Sequence, residues 1–520
     1  MNSNQTPTIP RETSLQFLRD ILPFGRAVSE DKAVAEVRAA MDGLSALNPQ
    51  PAAVALAGEI IPGIARHGNL HMRLKLLEEA RTVAERPLTE IEARLENAPL
   101  PLGSAATALA LVADNVLKAL AAAYSGIALG IERRRVDSGL ARLQAAALRH
   151  ACQTICRRQN LAYRAYAVPS ASSWQMLHKL FRVARNRRVT SRNGGEAPID
   201  HLYAGALLLA AIDPTKFPRG TLNALNKAVD ALAPLGSIAE ADADFHIPKS
   251  AAGQFVIRGD DGTPGHPLLR TQLATSLGGC LIVDFRPVLA MLDRHLRKLP
   301  DEAPCIPLEL PDAFVQAMRT ALGSHAARRY SRTRFKPRAD LAAGIDAVID
   351  FLNGRALTRR STDPGREERH WPVALSEWSL LDESPEGFGI RYLKGEKSRI
   401  EAGEVVALQP RENSKLHICM VRRITSTEHH RLELGLQELS GFGVVIDIPQ
   451  AVANYVEQAI VIPRLPGHAN ATGILARPGS VKCGQRVSFR DAERQLRYTV
   501  GASLERHPRV ELYALEPLAG

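Results

Sequence analysis

The stretch LLDESPEGFGIRY, residues 380–392, sets an acid, a hydroxyl, a proline and two glycines between two apolar runs of period two. Two strands joined by a tight turn need only the glycines, which tolerate positive φ and close backbone approach at Gly387 and Gly389. Asp382 and Ser384 are surplus to that requirement. They read either as an Asx-type turn at a strand end or as part of a binding site, where a carboxylate accepts from N–H donors and a hydroxyl binds an anion or braces the turn.

Working outward, the same period continues. GIDAVIDFL, VALSEWSLL, FGIRYL, EVVALQP, LHICMVRRI, LELGLQEL and VVIDI are short, alternate, and are separated by glycine, asparagine, proline or charged turns. That pattern predicts a small antiparallel β-barrel over 326–448, although GIDAVIDFL also reads as the start of a helix. A break at PQAVANYVEQ precedes a second β-rich unit over 449–520, in which RDAER marks a hairpin turn.

Upstream of the barrel lies RRYSRTRFKPRADL, residues 328–341. Arg328, Arg329, Arg332, Arg334, Lys336 and Arg338 fall within eleven residues, with no acid before Asp340. Such a run is either a solvated linker or the wall of an anion site. Arginine suits a guanine nucleotide because its planar fork donates in parallel to O6 and N7, stacks on the base and serves phosphate oxygens. Asp382 has the complementary chemistry, accepting from the N1 and N2 donors of the same base.

The order Arg-x-x-x-Arg, strand, Asp-x-Ser-x-x-Gly between two strands, IEAGEVVAL, then a ladder ending in LELGLQEL resembles the PilZ family, bacterial receptor domains for cyclic di-GMP. The resemblance spans Arg328 to Ile448. It implies a six-stranded barrel whose arginine-bearing segment clamps the dinucleotide against the barrel face, with binding and no catalysis. Carried over, the arginine pair falls on Arg334 and Arg338, and the second motif on Asp382, Ser384 and Gly387. Arg332 is a further candidate, and RALTR offers a competing pair, Arg355 and Arg359. The 44 residues from Arg338 to Asp382 imply an insertion near 353–372.

The rest of the chain is of a different class. Residues 1–14 are polar and read as a disordered tail, whereas 15–325 carry apolar residues three and four apart, punctuated by NPQP, APLPLG and DPTKFPRG, and predict an all-α region. GQFVIRGDDGTPGHP and CLIVDF predict a small β insertion near 253–285. SSWQMLHKLFRVARN reads as an amphipathic helix, ordinary or partner-binding. The fold class is thus a multidomain α + β chain, with an all-α N-terminal region, a small antiparallel barrel and a C-terminal β-rich unit.

Composition bounds the function. The 520 residues carry 66 Lys and Arg against 55 Asp and Glu, a net +11 that favours anionic partners without choosing among them. The apolar segment 103–131 is interrupted by Asp114, Asn115 and Lys118, so its uninterrupted part is shorter than the ~20 residues a bilayer needs, and no transmembrane segment is expected. Scattered cysteines and the absence of a signal-like start predict a reducing, cytoplasmic setting. No phosphate-loop, nucleophile-elbow or metal-ligand motif occurs, so neither an enzyme nor a metal or cofactor is expected. His429 and His430 read as a polar turn, and the basic groups at 133–135 and from Arg182 read as helix ends. The leading expectation is a cyclic di-GMP receptor that relays binding to a protein partner through its helical region. The alternatives are a helical scaffold with a degenerate barrel, or a nucleic-acid-binding protein, for which no recognition or stacking motif is present.

Overall fold

The structure, a computed structural model, describes residues 30–100, 102–132, 137–189, 197–242, 251–259, 261–268, 277–298, 310–323, 337–353, 375–395, 400–412, 415–426, 431–449, 456–491 and 494–518. A helical N-terminal region is followed by antiparallel β units, the fold class that the patterning predicts.

The helical region comprises α1 (Glu30–Gly43), α2 (Pro49–Ala55), α3 (Ile61–Ala65), α4 (Leu70–Asn97), α5 (Ser104–Glu132), α6 (Ser138–Arg164), α7 (Ala171–Asn186), α8 (Ile199–Ile212) and α9 (Leu222–Leu232). Side-chain caps set several starts: Asn69 accepts from the amides of His71 and Met72, and Asp137 from that of Leu140. α5 is long and apolar enough to cross a bilayer by length and composition. From Ala113 onward, however, it contributes residues such as Val116, Leu120, Tyr124 and Ile131 to the shared helical core, and Asp114 accepts two hydrogen bonds from Arg158.

The β insertion is larger than the sequence predicts. β1 (Ser237–Glu240), β2 (Gln254–Ile257), β3 (His266–Pro267) and β4 (Leu281–Asp284) form one sheet in the order β1-β4-β2-β3, followed by α10 (Arg286–Leu296) and α11 (Asp312–Gly323). The short polar SIAE segment gives no alternation to read, and its pairing with β4 makes it a strand.

The barrel is closed by β5 (Arg338–Ala343), β6 (Leu375–Ser384), β7 (Gly387–Gly395), β8 (Val405–Pro410), β9 (His417–Ser426) and β10 (Leu432–Ser440), in the cyclic order β5-β6-β7-β10-β9-β8. Its interior takes alternate residues, among them Leu341, Trp378, Leu380, Phe388, Leu408, Val421 and Leu434. The first strand is therefore RADLAA, and GIDAVIDFL is the helix α12 (Ile345–Leu352), which Gly344 introduces at φ +95°. Its Ile345, Val348 and Ile349 stripe packs outside the barrel.

VVIDI also leaves the barrel. It lies in β11 (Val444–Pro449), which pairs with β12 (Val456–Leu465) and so opens the second sheet, completed by β13 (Ala471–Ala476), β14 (Arg486–Asp491), β15 (Arg494–Arg506) and β16 (Glu511–Pro517). That sheet runs β11-β12-β13-β16-β15-β14, strand for strand the neighbour order of the barrel, without closure between β11 and β14. The second unit thus repeats the topology of the first. Its Ile460, Ile462, Leu475 and Leu512 pack on Val405, Ala407, Ile418 and Met420 of β8 and β9.

The helical region caps the barrel. Leu100 and Tyr166 belong to the barrel's own apolar core, Ser426 donates its amide to the Tyr166 carbonyl at 2.7 Å, and the Tyr166 hydroxyl donates to the Phe217 carbonyl.

Candidate functional site

The turn quoted at the outset is a tight hairpin between β6 and β7. Ser384 pairs with Gly387, and its hydroxyl donates to the Gly387 carbonyl at 3.3 Å, so Ser384 braces the turn. Gly387 sits at φ +150°, and a Cβ there would lie 1.9 Å from the Leu436 carbonyl oxygen. Only glycine lets β10 come this close.

Because interior residues alternate with outward ones, the registers define rows of side chains across the barrel's outer face. One row runs over four strands: Asp382 on β6 opposes Gly389 on β7, Gly389 opposes Gly435 on β10, and Gly435 opposes Arg423 on β9. The Asp382 carboxylate rests on Gly389, where a Cβ would meet Asp382 Oδ1 at 2.4 Å. Gly435 remains partly open beside it, with the Arg423 stem on its far side. The row is therefore an acid and a guanidinium flanking a strip of bare backbone, roughly 10 Å across from β7 to β9.

The next row comprises Arg338, Ser379, Arg391, Glu433 and Thr425. Arg338 opens β5 beside Ser379, one outward step from Asp382, about 8–10 Å away at ordinary strand spacing. The chain joins β5 at a level between the two rows, where the Pro337 carbonyl accepts from Leu380 N. Both arginines of this row are engaged: Arg338 donates to Glu377 at 2.8 Å, and Arg391 to Glu433 at 2.7 Å. Arg338 nevertheless keeps 61% of its side chain exposed.

Glu377 anchors a third row with Asp340. It is buried and faces three cations, Arg338, Arg411 and Lys394. Burial pushes its carboxyl up, but the cations outweigh that and hold it below the usual carboxylate range. Arg411 donates to both Asp340 oxygens, and these hydrogen bonds raise its guanidinium further above its ordinary value. This network gives the face a saturated ionic edge next to the open glycine strip.

Among the residues that the sequence singles out, Asp382, Ser384 and Gly387 belong to one hairpin, and Arg338 lies on the neighbouring strand one row from Asp382 and opposite Ser379, away from the turn itself. Arg332, Arg334, Arg355 and Arg359 lie outside the described residues. Gly435, Arg423, Glu377 and Arg411 escape motif reading, because only strand register reveals that they share this face. The doublet Arg422–Arg423 in LHICMVRRI was the available signal, since a bulge on β9 sends the two arginines to different partners.

A separate cavity of about 670 Å³ lies in the helical region, between α6, α8 and α9, lined by Arg157, Asn160, Arg164, His201 and Asp230 among others. Its arginines are already paired, Arg157 with Glu85 and with Glu92 of the cavity's own lining, and Arg164 with Glu96 and Asn223. Among the described residues no His, Cys, Asp and Glu cluster suits a metal ion.

Comparison with known proteins returns one protein family model and a curated relative. The family model described as "Cyclic-di-GMP receptor FimW, N-terminal domain" matches residues 35–242, which run from α1 to the first strand of the β insertion. The Cyclic-di-GMP receptor FimW of Pseudomonas aeruginosa is 21% identical over 439 residues, covering 71% of this chain and 70% of the relative. No solved structure matches. The family match falls in the helical region, away from the barrel residues that carry the PilZ resemblance.

Proposed function

We propose that this chain is a cyclic di-GMP receptor of PilZ type, non-catalytic, whose site is the outer face of the barrel at Arg338, Asp382 and the hairpin braced by Ser384 and Gly387. The reading rests above all on one observation: Asp382 and Arg338, an acceptor for a guanine edge and a guanidinium for phosphate or base, stand one row apart on the same exposed face. The similarity to a curated cyclic di-GMP receptor supports the ligand class. The helical region, which touches the barrel core through Leu100 and Tyr166, is the element through which occupancy would reach a protein partner.

A second reading draws on the pairing of Arg338 with Glu377 and Arg391 with Glu433: a scaffold whose barrel has closed its own charges and no longer takes nucleotide. Titration calorimetry separates the two. A receptor gives saturable heat with cyclic di-GMP and none with GMP at matched concentration, and both Asp382→Ala and Arg338→Ala weaken binding at least tenfold, about 1.4 kcal/mol. Absence of heat from the wild-type chain favours the scaffold.

A further inference from the structure

We infer that Arg423 is a ligand contact shared between the nucleotide face and the helical region, so that cyclic di-GMP and Asp213 compete for its guanidinium. The inference rests on the receptor reading and adds to it a residue and a route of regulation.

Three observations converge on this side chain. Arg423 closes the row Asp382, Gly389, Gly435, Arg423, so it stands on the opposite wall of the bare strip from the Asp382 carboxylate. A planar base lying on Gly435 offers N–H donors at one edge and carbonyl and ring-nitrogen acceptors at the other, and Asp382 and Arg423 match those two edges in sign. Gly435 also gives the arginine room to reach inward, since any Cβ there would come within 3.4 Å of Arg423 Cβ.

The same guanidinium holds the helical region only loosely. Its Nε is 3.9 Å from Asp213 Oδ2, beyond hydrogen-bond distance, and its side chain is half-exposed. Asp213 does not depend on it: the acid follows α8 at φ 60°, accepts from the Thr215 hydroxyl at 2.5 Å, and has Lys216 at 3.4 Å. Arg423 is the barrel residue that borders a cavity of about 330 Å³ formed by the helices and the β insertion, lined also by Val168, Trp174, Phe255 and Phe285. Movement of Arg423 toward the strip therefore breaks a contact between the two regions and withdraws the barrel residue from the mouth of that cavity.

The test is calorimetric titration of the full chain with cyclic di-GMP in four forms: wild type, Arg423→Ala, Asp213→Asn, and the double variant, with far-UV circular dichroism as the folding control. Arg423→Ala should weaken binding at least tenfold. Asp213→Asn, which removes the competitor, should tighten it about threefold, and that gain should vanish in the double variant. Arg423→Lys, which keeps the charge and loses the planar fork, should bind between wild type and Arg423→Ala. Wild-type binding that is unchanged in folded Arg423→Ala, or tightening by Asp213→Asn that persists without Arg423, overturns the inference and leaves the receptor reading standing. No binding by the wild type defeats the receptor reading itself.

Discussion

At the scale of single residues, two glycines two positions apart do different work. At Gly387 an added Cβ meets the Leu436 backbone, which cannot yield without parting β7 from β10, so Gly387→Ala should cost about 3 kcal/mol or more in denaturant unfolding. At Gly389 the three atoms nearest the added Cβ all belong to the Asp382 carboxyl, the end of a side chain that can turn aside, so Gly389→Ala should leave the midpoint nearly unchanged while displacing the carboxylate and weakening cyclic di-GMP as Asp382→Ala does. Equal losses of stability from both would show that Asp382 is fixed by something other than its bed on Gly389. The sequence flagged both glycines and could not separate them, because the distinction lies in what faces each from another strand. The same limit hid Arg423 and Gly435, which belong to no motif and acquire meaning only through register.

At the scale of elements, alternation made the strands legible and their partners illegible. RADLAA was obscured by the arginine run before it, and GIDAVIDFL, apolar at nearly every position, satisfied strand and helix patterns alike. VVIDI reads as a last barrel strand by proximity, yet it pairs forward with β12. What joins the two β units is a mixed interface, apolar at its centre and ionic at its edge. Arg422 donates to both Glu505 oxygens at 2.6 Å and to Gln437, and His507 adds a third contact to Glu505 at 3.0 Å. Burial pushes the Glu505 carboxyl up, but His507 and Arg422 more than reverse this and hold it far below the ordinary carboxylate range. A depressed carboxylate contributes stability above its unfolded value near 4.3, and that contribution is lost as pH falls through the folded value. Glu505→Gln should therefore destabilise the chain by about 2 kcal/mol at pH 7, less than a fully buried pair because Arg422 is one-third exposed, and the deficit should shrink as wild type and variant are acidified below pH 4. A deficit independent of pH would place the cost in packing alone.

At the scale of the whole molecule, the second β unit repeats the strand order of the first but turns the corresponding surface to another use. The outer face of β5, β7 and β10 carries charge at Arg338, Arg391 and Glu433, whereas β12, β13 and β16, the counterparts of β6, β7 and β10, present Ile460, Ile462, Leu475 and Leu512 to β8, β9 and α12. In the proposed receptor the nucleotide face lies on the first unit, and the second unit serves as a brace. The helix-then-barrel layout was legible because period 3.6 gives way to period 2 near residue 325; the repeat was not, since topology leaves no trace in spacing. Besides the barrel face, the family-matched helices hold the cleft at Arg157 and Arg164. Hydrogen exchange of the full chain with and without cyclic di-GMP distinguishes them directly. Binding on the barrel gives ligand-dependent protection in peptides spanning 380–392 and 418–437, with little change over 153–164 and 199–230. Protection confined to the helical peptides, with the 380–392 hairpin unaltered, would contradict it.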